Sequence, residues 1–138
     1  ITTGGSCAVG TPANGVAEAL KAGVAPDHIT MSSDGHGSVP RFNEKGEMVG
    51  LGVGGVACNL RDFKRLVGEL GVPMTTALPI VSTNVAKALR LEGKGEIKEG
   101  ACADLNLFDE NMELVHVFAK GQQMMRSGEI IVKGTFEI

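Results

Sequence analysis

The chain has 138 residues, enough for one domain with a modest core. A hydrophobic share of 43% and a charged share of 21% are ordinary for a globular protein, and no apolar run is as long as a membrane span needs. The net charge of −3 removes the electrostatic case for nucleic acid or an anionic membrane as a partner.

Glycine is abundant, 20 residues of 138, which favours loops and the sites that loops carry. The three cysteines, Cys7, Cys58 and Cys102, have no CxxC spacing, so they read as free thiols in a reducing cytosol rather than a zinc knuckle. His28, His36 and His116 lack HxH or HExxH spacing, so local motifs assemble no complete metal site. Residue 1 is Ile, no signal-peptide pattern follows, and the expectation is a piece of a longer, cytoplasmic polypeptide.

In chain order, residues 2–13 read as a loop of small residues. A helix is expected over 14–22, with Val16, Ala17, Leu20 and Lys21 at helical spacing and Gly23 as its C-cap. Residues 28–33 read as a short buried strand. That strand opens into the longest irregular region, residues 34–55, where seven glycines and Pro40 accumulate. Within it, Asn43-Glu44-Lys45-Gly46-Glu47 reads as the turn of a small hairpin. Residues 50–55 formally satisfy GxGxxG, but no buried strand precedes them, so they read as a flexible glycine loop rather than a nucleotide site.

Residues 56–70 form the clearest helix. Val56, Leu60, Phe63, Leu66, Val67 and Leu70 make one apolar stripe, with Arg61, Asp62, Lys64, Arg65 and Glu69 opposite. Two shorter helices follow, one begun by Pro73 and one capped by Ser82. Beyond Gly93 come four short strands separated by turns at residues 109–111, 120–121 and 127–128.

The chemistry-bearing residues cluster where the expected strand ends. Asp34 reads in two ways, as Asp-Gly turn chemistry or as a catalytic carboxylate able to ligate a metal and take a proton. Ser38 lacks the flanks of a nucleophile elbow and fits better as a hydrogen-bond donor to substrate. Arg41 is either a solvated charge or a carboxylate clamp, and the solvated charge is favoured. His36, His28, His116, Cys58 and the Met124-Met125 pair read better as solvated or packing residues than as ligands.

Two motifs together resemble the amidohydrolase superfamily. One is Ser33-Asp34-Gly35 at the strand end. The other runs Gly93-Lys94-Gly95-Glu96-Ile97-Lys98-Glu99-Gly100-Ala101-Cys102-Ala103-Asp104-Leu105-Asn106-Leu107-Phe108-Asp109, similar to the G-x-I-x-x-G-x-x-A-D-L segment with which such chains leave their barrel. The run from Ile29 to Phe42 and the ending Val132-Lys133-Gly134-Thr135-Phe136-Glu137 resemble the isoaspartyl dipeptidases within it.

The resemblance implies an α/β chain. Residues 1–92 would be the C-terminal portion of a (β/α)8 barrel, and residues 93–138 would be strands of a small composite β-domain. It implies a zinc-dependent, homo-oligomeric enzyme that hydrolyses β-aspartyl dipeptides with a metal-activated hydroxide. Asp34 would be metal ligand and proton shuttle, and Ser38 would bind substrate. The other ligands of the binuclear site would lie before Ile1, so the isolated chain is expected to be inactive without its N-terminal portion. The competing readings are a dihydroorotase- or hydantoinase-like cyclic amidase, and a non-catalytic assembly module.

Overall fold

Thr11 and Pro12 start the first helix of the computed structural model, which describes residues 11–134. Thr11 is extended and its hydroxyl accepts the Asn14 N–H at 3.4 Å, while Pro12 has no N–H to satisfy. Helix α1 (Pro12–Lys21) therefore begins two residues before the position expected from periodicity alone. It buries Ala13, Val16 and Ala17.

After a 3-10 turn at Pro26–His28 the chain runs extended through Ile29 and Met31, both buried. The expected strand is corrected here. His28 is exposed at the end of the 3-10 turn, and Ser32 makes only an isolated bridge. No strand among the described elements runs beside this segment, so its backbone bonds to other partners. The Met31 N–H donates to the Ile80 carbonyl at 3.2 Å. The Asn84 amide donates to the carbonyls of Ile29 at 2.9 Å and Pro26 at 2.8 Å.

Strands β1 (Ser38–Phe42) and β2 (Met48–Val53) form an antiparallel hairpin. The turn is held by Asn43, whose side-chain oxygen accepts the N–H groups of Lys45 and Glu47, both at 3.0 Å. Residues 50–53, expected as loop, are thus strand. Their glycines alternate with Leu51 and Val53, which gives the segment a strand's period of two.

Helix α2 (Cys58–Gly68) buries Phe63 and Leu66, as the apolar stripe requires. Asp62 departs from expectation. It is 1% exposed rather than solvated, and the Arg61 guanidinium donates to its carboxylate at 3.0 Å. Helices α3 (Met74–Val81) and α4 (Thr83–Ala88) follow. Ser82 does not cap α4 with its side chain; its hydroxyl donates back to the Leu78 carbonyl at 2.7 Å. Leu66, Ile80 and Val16 are the largest fully buried apolar side chains, each contributing about 1.5–3 kcal/mol of transfer energy.

The chain divides after Arg90 into two compact units. The second is a four-stranded antiparallel meander in the order β3 (Leu105–Phe108), β4 (Leu114–Ala119), β5 (Gln122–Arg126), β6 (Glu129–Ile130). Lys120-Gly121 and Ser127-Gly128 make its two tight turns with positive φ at both positions, the geometry that matches strand twist. His116 lies in β4, where its ring Nδ1 accepts the Ser127 N–H at 3.3 Å. The helices of the first unit and the strands of both units make an α/β chain, as expected.

Candidate functional site

The buried segment Ile29–Met31 anchors the loop that follows it, and Asp34 is exposed two residues past the isolated bridge. The loop is tied to the end of β2. The His36 N–H donates to the Gly54 carbonyl, and the Gly54 N–H donates to the Gly37 carbonyl, both at 2.9 Å. The Gly37 N–H closes the turn on the Asp34 carbonyl, also at 2.9 Å. Asp34 and His36 both hold positive φ, 49° and 66°. Two such non-glycine residues in three cost roughly 1–3 kcal/mol each, and backbone strain of this kind collects at functional sites.

Glycines allow the packing. A Cβ on Gly37 would lie 3.0 Å from the Asp34 carboxylate, and one on Gly54 would lie 2.9 Å from the Asp34 carbonyl oxygen. The carboxylate therefore folds back across the loop it begins. Ser33 supports the turn from behind: its hydroxyl accepts the Gly35 N–H at 3.1 Å. At the start of α2 the Cys58 thiol donates to the Gly55 carbonyl at 3.0 Å and approaches the Ser33 carbonyl at 3.7 Å. Cys58 thus joins helix α2 to the loop, a role beyond the packing expected from sequence.

Ser38 is the first residue of β1, four residues after Asp34, and is exposed and paired with Val53. The hairpin register and the Gly54 clamp place Asp34 and Ser38 at the same end of one β-hairpin. Arg41 lies on the opposite face. It lines a cleft of about 290 Å³ with Val39, Gly52, Val53, Gly54, Gly55, Cys58 and Arg61, so the cleft reaches the glycine that clamps the Asp34 loop. A larger cleft, about 630 Å³, runs along α2 and includes no residue of the Asp34 loop.

Asp34 suits one position on a metal ion, a hard anionic donor on a fixed loop. Among the described residues no three His, Cys, Asp or Glu side chains come together to hold a metal. The loop fits a shared site as a single ligand and cannot hold zinc alone, which takes three or four protein donors.

A family model described as "Amidohydrolase family" matches residues 8–124, most of the chain. The chain belongs to the amidohydrolase family. Amidohydrolases are generally metal-dependent. Among solved structures, a β-aspartyl dipeptidase from the thermophilic, keratin-degrading Fervidobacterium islandicum AW-1, in complex with a β-Asp-Leu dipeptide, is 38% identical. The match has a TM-score of 0.77 and covers 92% of this chain and 33% of that one. A second β-aspartyl dipeptidase structure from that organism is 30% identical, with TM-score 0.75, over 99% of this chain and 33% of its own. N-acetylglucosamine-6-phosphate deacetylase from Pasteurella multocida is 17% identical, with TM-score 0.64, over 88% of this chain and 36% of that one; the likeness shows the fold alone. These neighbours are TIM-barrel amidohydrolases, so the α/β barrel class holds for this chain. The amidohydrolase chain spans about a third of the length of the dipeptidase structures it matches.

Proposed function

We propose that the protein to which this chain belongs hydrolyses β-aspartyl dipeptides. The observation that carries the reading is the 38% identity, across 92% of the chain, with a β-aspartyl dipeptidase. In this reading residues 1–92 supply the last portion of the barrel, and residues 93–138 supply strands of the small β-domain. The metal is zinc. The enzyme is a cytoplasmic homo-oligomer, in keeping with the free thiols of Cys58 and Cys102.

Zinc, when bound, lowers the pKa of a coordinated water and polarises the scissile carbonyl. The Asp34 carboxylate would hold one position on the metal, and it acts as the proton carrier. It accepts the proton released as water attacks and delivers it to the amine nitrogen as the C–N bond breaks. The loop's hydrogen bonds to Gly54 hold Asp34 in place through both transfers, so little reorganisation is required. The Ser38 hydroxyl, at the same end of the hairpin, donates a hydrogen bond to the bound dipeptide.

The test is hydrolysis of β-Asp-Leu by the whole enzyme with zinc present. Asp34→Asn keeps the side chain's size and removes its basicity, and it should lower kcat by roughly 10²–10⁴-fold. The 138-residue chain alone, with zinc added, should show no turnover. Cleavage of cyclic amides with no cleavage of β-Asp-Leu would overturn the reading in favour of a cyclic amidase.

A further inference from the structure

Helix α2 begins directly behind the Asp34 loop, and one side chain there touches both ends of the loop's support. The Cys58 thiol donates to the Gly55 carbonyl at 3.0 Å and lies 3.7 Å from the Ser33 carbonyl. Ser33 is the residue before Asp34. Gly55 is the residue after Gly54, whose two backbone bonds clamp His36 and Gly37. Two stretches far apart in sequence therefore meet at one sulfur. Each of these contacts is internal to the chain, and none depends on a surface being open to water.

The Ser33 side chain completes the bracket. Its hydroxyl accepts the Gly35 N–H at 3.1 Å, so Ser33 is held by its carbonyl and in turn holds Gly35. Gly35 has no room to approach the helix further: a Cβ there would lie 2.7 Å from Val56 Cγ1 and 3.1 Å from Ser33 Oγ. Asp34 sits between these two held residues, at φ 49°. That angle is set by the orientation of the Ser33–Asp34 peptide about the Asp34 N–Cα bond. Turning this peptide over would return Asp34 to negative φ and relieve the strain, and it would swing the Ser33 carbonyl away from the thiol. A strained backbone angle persists only where its surroundings oppose the cheaper alternative. At Asp34 the opposition comes from contacts made by residues 33 and 35.

We infer that Cys58 and Ser33 are positioning residues for Asp34: they hold the peptide before it and the turn after it, so that the carboxylate is aimed before metal or substrate arrives. The inference rests on the reading above of Asp34 as metal ligand and proton carrier. Groups that orient a metal ligand without touching the metal typically change affinity or activity by about 10–100-fold when removed. A thiol is a weak donor, and the Ser33 hydroxyl is neutral, so both belong at the low end of that range.

The experiment uses the whole enzyme and reads zinc retained against EDTA, together with kcat and KM on β-Asp-Leu. Cys58→Ala should weaken zinc retention about 10-fold and lower kcat by a similar factor, with KM little changed. Cys58→Ser keeps a donor for the Gly55 carbonyl and should recover most of both losses. Cys58→Val keeps the volume but removes the donor, and should not. Ser33→Ala should give a smaller loss of the same kind, and it carries the test should the Cys58 variants fail to fold. In the metal-free protein the His36 amide should exchange faster in Cys58→Ala and in Ser33→Ala than in the unsubstituted chain. Cys58→Val matching the unsubstituted enzyme while Cys58→Ser falls short would overturn the inference, since the thiol would then only fill space. Unchanged zinc retention and kcat in both Cys58→Ala and Ser33→Ala would overturn it as well. An unsubstituted enzyme that binds zinc but leaves β-Asp-Leu intact would overturn the dipeptidase reading alone, because zinc retention in the variants still decides whether Asp34 is positioned by these residues.

Discussion

Residues 11–90 and residues 91–134 come from one chain and exclude water to very different degrees. The first unit encloses a dry core in which Ala13, Val16, Leu66, Ala77 and Ile80 are fully buried. In the second, no described residue is fully buried; Val115, Val117 and Phe118 are half-buried, and Ile97 is 90% exposed. The first unit is held by burial between helices far apart in sequence. The second is held by turn chemistry and ladder hydrogen bonds between neighbouring strands, with little apolar area removed from water. A strained loop needs the first kind of support, and the Asp34 loop is attached to that unit: Met31, just before it, bonds to α3, and Cys58, behind it, begins α2.

The contrast breaks first at the core. Leu66→Ala should destabilise the first unit by about 2–5 kcal/mol, read as a lower denaturant midpoint. Val117→Ala, at a half-buried site of the meander, should cost clearly less. Equal costs would mean that the second unit carries a core of its own.

A smaller effect is expected at Asn84, which is 6% exposed and spans the 3-10 turn and the extended segment. Asn84→Ala should cost about 1–3 kcal/mol, because the Ile29 carbonyl loses the Asn84 donor while the Pro26 carbonyl keeps the Ile29 N–H. Faster amide exchange at Met31, with the meander unchanged, would confirm that the effect stays within the first unit.

The smallest effect sharpens the account of the second unit. Asp104 accepts hydrogen bonds from the Lys94 ammonium and from the Lys120 N–H at 2.6 Å. The Lys94 hydrogen bond, then that of Lys120, holds the Asp104 carboxyl below its ordinary 3.8. The same Asp104 bond raises Lys94 above 10.5. A lowered carboxylate contributes stability above its unfolded value and loses it as pH falls through the folded one. The tie should therefore be complete at neutral pH and fade only below about pH 3.8; at the alkaline end it should fade as pH rises through the raised Lys94 value. Amide exchange at Lys120 should follow the acid transition, and Asp104→Asn should abolish it. The pair is exposed, so the change in stability should be small.

Much of this fold was legible from local signals. The meander's turns were readable because Lys120-Gly121 and Ser127-Gly128 supply the left-handed positions that tight hairpins demand. The apolar stripe of α2 was readable because helical period and burial coincide at Phe63 and Leu66. The candidate site was legible as residue types, an Asp at the end of a buried run and a Ser four residues on. Its shape was not, because the bonds that make it run to Gly54, some twenty residues away, within a segment whose glycines read as loop.

The sequence by itself determined which segments are apolar, where the chain turns and which residues can carry charge or protons, since these depend on side-chain chemistry and on neighbours within a few positions. Only the tertiary structure decided that residues 50–53 are strand and that Asp62 is buried. It also decided that Ile29 and Met31 are satisfied by α3 and Asn84 rather than by a neighbouring strand. Each of these outcomes depends on which distant partner satisfies a backbone group or covers a face, and local propensity does not encode that choice.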